Sequence, residues 1–174
     1  MRKTVVILFV SIFLVIGVWV SYDYISRDGE FTKWSHTTLD IENFKKNVPY
    51  YIGYSFKWEG IGNPTIESID FIKRDGIIVT KDDVDLRIHP FIATSTNIGS
   101  LEEEYVIEEG LLDGLNEVNG FQVDENFNLV VRVELVDASN FDNDISTIRI
   151  TYKKYGITQT QNIPFDGGFV TDLE

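Results

Sequence analysis

The side chains best suited to chemistry in this sequence lie in one acidic stretch, Asp137–Asp144. Carboxylate and amide oxygens recur along it, and Ca²⁺ prefers about six to eight oxygen ligands from groups of this kind. Four residues are therefore candidate metal ligands: Asp137, Asn140, Asp142 and Asp144. The spacing differs from that of an EF-hand loop, which has a glycine in the middle and a glutamate at the end. The alternative interpretation is a polar turn between two strands, which Asn and Asp favour.

Aromatic side chains form a second candidate site. In Tyr50–Trp58 every second residue is aromatic or aliphatic, and this period is typical of a strand with one buried face. The pattern favours a face that belongs to the core. The alternative is an exposed platform on which sugars or a peptide stack, and its candidate binding residues are Tyr51, Tyr54 and Trp58.

Motifs of known catalytic chemistry are missing from the sequence. It contains no zinc-protease helix, no serine nucleophile elbow and no phosphate-binding loop. The two histidines, His36 and His89, have no motif spacing, and the acidic runs 82–85 and 102–109 are typical of solvated surface. We predict that the protein is not an enzyme, with no catalytic residue and no cofactor apart from the candidate Ca²⁺.

Composition excludes several classes of site and partner. The chain of 174 residues has no cysteine, so disulfides, thiolate metal sites and cysteine nucleophiles are excluded. Its formal net charge is −13, which opposes binding to nucleic acid and to anionic lipid headgroups. We therefore predict no nucleic-acid partner.

An uncharged apolar segment, Thr4–Val20, follows the basic residues Arg2 and Lys3. As a helix it rises about 25 Å, close to the roughly 30 Å of a bilayer's hydrocarbon core. With Trp19 and Tyr22 at its end, it predicts a single-pass anchor in the lipid bilayer, with a cytoplasmic N-terminus and an extracytoplasmic C-terminal domain. A cleaved signal peptide is the alternative, although no typical cleavage site of small residues is present.

The remaining sequence has the pattern of an all-β ectodomain. Thr65–Lys73, Phe127–Asp137 and Ile145–Tyr155 join Tyr50–Trp58 as strands, and turn residues recur between them. We predict an antiparallel two-sheet sandwich, immunoglobulin-like, with a small barrel as the alternative.

The predicted domain boundaries follow from these segments. Residues 1–24 are the N-terminal membrane anchor, residues 25–34 a stalk, and residues 35–174 the β-sandwich. The first strand is expected near residues 35–43, and residues 164–174 are expected to be a frayed tail.

A membrane anchor, an acidic β-rich domain and the missing catalytic motifs together predict a function class. We expect a non-enzymatic binding or interaction module of the bacterial cell envelope, whose partner is an envelope protein or polymer. Two alternatives stay open: a Ca²⁺-binding structural or adhesion domain, and a hydrolase of envelope material that uses paired carboxylates.

Overall fold

The computed structural model of the chain describes residues 2–94, 98–137, 145–166 and 168–171. One long helix precedes a mostly β domain that contains a second, short helix. The helices are α1 (Arg2–Arg27) and α2 (Glu103–Glu108). The strands are β1 (Glu30–His36), β2 (Leu39–Asp40), β3 (Pro49–Glu59), β4 (Thr65–Lys73), β5 (Ile78–Val79), β6 (Leu86–Ala93), β7 (Ser100–Glu102), β8 (Leu115–Glu117), β9 (Asn126–Leu135), β10 (Ile145–Lys154), β11 (Ile157–Pro164) and β12 (Val170–Thr171).

Two antiparallel sheets form a sandwich-like domain, as the sequence predicts. The first sheet has the order β1-β3-β9-β6-β8, and β7 also pairs with β3. The second sheet has the order β11-β10-β4-β5, and β12 pairs in parallel with β2 in a small third sheet. Strands predicted from alternation appear within a residue or two of their predicted ends.

The core lies between the two sheets and is rich in aromatic rings. Phe56 stacks on Phe127 with ring centroids 5.3 Å apart, and Phe31 packs against Trp58 at 4.9 Å. The inner faces of β4 and β10 supply Ile66, Ile148 and other aliphatic side chains. The prediction that the alternating aromatic residues of β3 form a core face is therefore confirmed by their burial.

The junction between helix and sandwich differs from the predicted stalk. Residues 25–34 contain the last turn of α1 and the start of β1, which pairs with β3 from Glu30 onward. The pairing is stable there because Phe31 is buried in the core and its backbone N–H and C=O both bond the Gln161 side chain. The sandwich therefore begins at Glu30, about five residues earlier than predicted, and the first strand spans Glu30–His36, not residues 35–43.

The C-terminal segment also differs from its prediction. Instead of a frayed tail, residues after β11 return to the core, where Phe165, Phe169 and Val170 are buried. The Phe169 carbonyl accepts a hydrogen bond from the Leu39 backbone N–H at 2.9 Å, which leads into the β2–β12 pair. The sequence predicts a frayed tail here, but the buried rings of Phe165 and Phe169 supply apolar surface that holds the segment against the core.

Lys154, the last residue of β10, fixes the end of α1 to the sandwich. Its side chain is only 2% exposed and donates hydrogen bonds to the backbone carbonyls of Asp28 and Ile61, the latter at 3.0 Å. Its ammonium group also lies 5.1 Å from the centre of the Trp58 ring. Burial lowers the pKa of Lys154, and the Asp28 charge partly opposes this change.

The rest of α1 extends away from the sandwich. The most apolar 18-residue window of Val6–Arg27 has mean hydropathy 2.2, and this helix is long and apolar enough to cross a membrane, a property that membrane anchors share with signal sequences. None of the most apolar window of this helix is buried. The sandwich thus leaves the apolar surface of α1 exposed.

The strands define two ends of the sandwich. The helix-proximal end carries the β3–β4 loop and the β10–β11 turn, because Glu59 pairs with Glu30 and Lys154 with Ile157. The helix-distal end carries the start of β3, the end of β9 and the start of β10.

Candidate binding surface

Asp137, the one described residue of the predicted Ca²⁺ loop, lies at the helix-distal end. Asp137 is 3.8 Å from the Lys46 ammonium group, and its backbone N–H donates to the Asp85 carbonyl. The other three candidate ligands, Asn140, Asp142 and Asp144, lie outside the described residues. Within the described ranges, no group of three or more His, Asp or Glu side chains could hold a metal ion. The Ca²⁺ site stays a prediction.

The acidic run 82–85 lies beside Asp137. The Asp85 carbonyl accepts hydrogen bonds from the backbone N–H groups of Val136 and Asp137. Asp83, however, has a structural role, because its carboxylate accepts hydrogen bonds from the Thr80 backbone N–H at 2.5 Å and from the Thr80 hydroxyl. Asp85 and Asp137, which are distant in sequence, therefore meet at one end of the sandwich.

The three aromatic residues proposed for stacking are all buried. Tyr54 and Trp58 belong to the main core, and Tyr51 belongs to a smaller cluster on the outer face of the first sheet. A stacking ligand needs an exposed ring face, and these three rings are covered by protein. Their binding role stays a prediction that their placement does not favour.

The hydroxyl group of Tyr54 is buried without a hydrogen-bond partner among the described residues. Burial raises the pKa of this phenol well above its ordinary value, so the group is neutral. Because an unpaired buried hydroxyl is unfavourable, Tyr54→Phe should raise the free energy of unfolding by about 1 kcal/mol. Urea unfolding measures the change, with Tyr152→Phe as the matched control. A clear loss of stability in Tyr54→Phe would show that the hydroxyl has a partner.

A charged network covers the outer face of the first sheet. Arg132 in β9 binds Glu103 through two nitrogens, at 2.6 and 3.2 Å, and also contacts Glu134 at 3.2 Å. The hydrogen bond to Glu103 raises the pKa of Arg132. Tyr51 donates to the same Glu103 carboxylate at 3.3 Å. These bonds hold α2 against the sheet and leave the Glu103 charge neutralised.

An open groove of about 420 Å³ lies beside this network, toward the helix-distal end. Its lining residues come from the turn before β3 and from the β7–α2 segment: Asn47, Val48, Pro49, Glu102, Glu103, Glu104, Ile107 and Glu108. Lys45 pairs with Glu102 at 3.3 Å, whereas Glu104 and Glu108 have no ion-pair partner in the part of the chain that the structure describes. We call this surface the acidic groove.

The acidic groove combines charge with an exposed apolar side chain. Glu104, Ile107 and Glu108 have the spacing that places residues on one face of a helix, so two carboxylates flank one isoleucine. Ile107 is exposed. Such a surface suits a partner segment that offers basic groups around an apolar side chain.

The sequence predicts solvated surface for the acidic run 102–109. The signal for a site was weak, because the helix has only six residues and its carboxylates resemble any exposed charge run. Its position next to Pro49 depends on the pairing of β7 with β3, which local sequence does not encode.

Comparison with known proteins gives no further guide to the site. No protein-family model matches this sequence, and no curated protein matches it. Function is therefore inferred from the geometry of the chain itself.

Proposed function

We propose that this protein is a membrane-anchored, extracytoplasmic binding module of the bacterial cell envelope that does not act as an enzyme. The observation that carries the proposal is α1, whose apolar surface the sandwich leaves uncovered. A bilayer is the environment in which such a surface is stable. The partner is an envelope protein or polymer, and the acidic groove is its binding surface.

The orientation of the chain follows from its charges. Lys3 lies at the start of α1, while the acidic residues all follow the apolar segment. Positively charged flanks favour the cytoplasmic side, which places the sandwich outside. The domain itself is the antiparallel sandwich described above, and we propose an immunoglobulin-like relationship for it on architecture alone.

The absence of native cysteine allows a direct test of this topology. Val84→Cys creates a reporter at a position that is 74% exposed, and Lys3→Cys creates the matched reporter before the apolar segment. Intact cells are treated with a membrane-impermeant maleimide. We expect Val84→Cys to react on intact cells and Lys3→Cys to react only after lysis. Reaction of Val84→Cys only after lysis would contradict the extracytoplasmic location.

The same reporters separate an anchor from a cleaved signal sequence. An anchored protein keeps Lys3→Cys on the same polypeptide as the sandwich, so one full-length band carries the label after lysis. A cleaved signal would leave a shorter sandwich band that Lys3→Cys never labels.

Binding through the acidic groove is tested by photocrosslinking on intact cells. A photoreactive amino acid at Ile107 should give a specific adduct, and the same group at Ile77, an exposed residue of the β4–β5 turn on the other sheet, should not. Glu104→Gln with Glu108→Gln should abolish the adduct. Equal adducts at both positions, or no effect of the double substitution, would contradict the groove as the binding surface.

A further inference from the structure

The turn between β10 and β11 is tied to the last apolar turns of α1. The Tyr22 hydroxyl donates a hydrogen bond to the backbone carbonyl of Tyr155 at 2.5 Å. One helical turn later, the Ser26 carbonyl accepts a hydrogen bond from the Gln159 side chain at 2.7 Å, and Ser26 itself is buried. Two contacts on the same side of α1 therefore fix β11 and the preceding turn against the helix.

This attachment determines the depth of the turn if α1 spans a bilayer. Trp19, Tyr22 and Tyr24 are exposed aromatic residues at the end of the apolar segment, where such rings lie at the boundary between lipid tails and headgroups. Because the Tyr155 carbonyl bonds the Tyr22 hydroxyl directly, Tyr155 must lie at nearly the same depth. The headgroup zone is roughly 5–7 Å thick on each side, so the turn falls within it.

The side chains at this end of the sandwich suit such a location. Tyr155 is 49% exposed, and Ile61 in the β3–β4 loop is 51% exposed. Ile61 is bonded through its backbone to Asp28 and Lys154, and the Tyr155 ring contacts Gly62. From Tyr24, the last of these boundary rings, to Asp28 the chain rises about 6 Å, which places Ile61 near the outer limit of the headgroup zone.

Lipid is a better occupant for this surface than a protein partner. The surface adjoins the helix that the proposed anchor places in the bilayer, so lipid is already present at that depth. Net charge does not draw the domain to anionic lipid, since acidic residues outnumber basic ones. The contact would thus depend on Tyr155 and Ile61, with little dependence on salt.

We propose that Ile61 and the Tyr155-Gly156 turn form a lipid-contacting surface that lies in the headgroup zone of the bilayer that α1 spans. This inference rests on the proposed membrane anchor. The sandwich is then held in one orientation on the membrane, in contrast to a domain at the end of a stalk. The acidic groove, toward the helix-distal end, then faces away from the bilayer.

Depth-dependent fluorescence quenching tests the surface in the full-length protein. Single cysteines at Tyr155, Ile61, Val84 and Ser11 are labelled with an environment-sensitive fluorophore. The protein is reconstituted in vesicles of zwitterionic phosphatidylcholine that contain lipids spin-labelled near the headgroup. We expect strong quenching and a blue-shifted emission at Tyr155→Cys, weaker quenching at Ile61→Cys, and none at Val84→Cys, at the opposite end.

The outcomes separate this inference from the proposed anchor. The Ser11→Cys position, in the middle of α1, should be quenched by lipids that carry the spin label deep in the acyl chain. If Ser11→Cys is quenched while Tyr155→Cys and Ile61→Cys resemble Val84→Cys, the anchor stands and the lipid-contacting surface is wrong. If Ser11→Cys is not quenched either, both are wrong. Should Tyr155→Cys fail to fold, quenching at Ile61→Cys relative to Val84→Cys decides the question.

Discussion

Replacing Phe169 with alanine is expected to lower the free energy of unfolding by about 3–5 kcal/mol, the usual cost of truncating a fully buried phenylalanine. The ring of Phe169 has no exposed surface and lies 4.9 Å from Phe165 and 5.4 Å from Phe71. Truncation would remove apolar contacts from both neighbours and leave a cavity between the two sheets. Urea unfolding of the full-length protein in detergent, followed by near-ultraviolet circular dichroism, measures the loss.

A matched control separates burial from aromatic character. Trp34 in β1 is an exposed aromatic residue, so Trp34→Ala should change stability by no more than about 0.5 kcal/mol. If residues 164–174 were the frayed tail that their sequence indicates, Phe169→Ala would be as mild as Trp34→Ala. Equal effects of the two substitutions would therefore contradict the packed C-terminal segment.

Alternation along the chain was sufficient to predict the main sheets. In β3, β9 and β10 a period of two continues for about ten residues, long enough to identify the strand and its buried face. The apolar helix was also predictable, because an uncharged run of that length has few other structures. These features depend on local sequence alone and can therefore be predicted from it.

Features that depend on distant partners were not predictable. Phe169 follows two glycines and looks like part of a loop, and only its contact with Phe71, on β4, makes it a core residue. The start of β1 at Glu30 was not predictable for a similar reason, since β1 is stabilised by the side chain of Gln161, about 130 residues later. The acidic groove likewise needs β7 to pair with β3 before its carboxylates lie beside Pro49.

Replacing Lys154 with methionine is expected to destabilise the junction between α1 and the sandwich by about 2–4 kcal/mol at neutral pH. The substitution keeps an apolar side chain of similar length but leaves the carbonyl groups of Asp28 and Ile61 without their charged donor. Each such bond contributes about 1.5–3 kcal/mol, and removal of the desolvation cost of the ammonium group offsets part of the loss. Lys153→Met is the matched control, because this neighbouring lysine is exposed. Unfolding of the two variants in detergent gives the comparison, and similar small losses would show that the Lys154 contacts contribute little.

The pH dependence of the free energy of unfolding, compared between the native protein and these two variants, tests the charge of Lys154. Burial lowers the pKa of Lys154 in the folded protein, whereas the unfolded chain keeps the usual value of 10.5. Between those two values the unfolded state binds more protons than the folded state, so the stability contributed by Lys154 rises with pH. Below the pKa that Lys154 has in the folded protein, the buried ammonium group is charged and its desolvation is unfavourable. This cost is relieved as the pH increases and the group loses its proton.

The free energy of unfolding is measured for the native protein and both variants as the pH approaches 10.5. The difference between the native protein and Lys154→Met should increase over this range, whereas the difference between the native protein and Lys153→Met should stay constant. A difference between the native protein and Lys154→Met that is constant over this pH range would show that Lys154 is not desolvated in the folded protein.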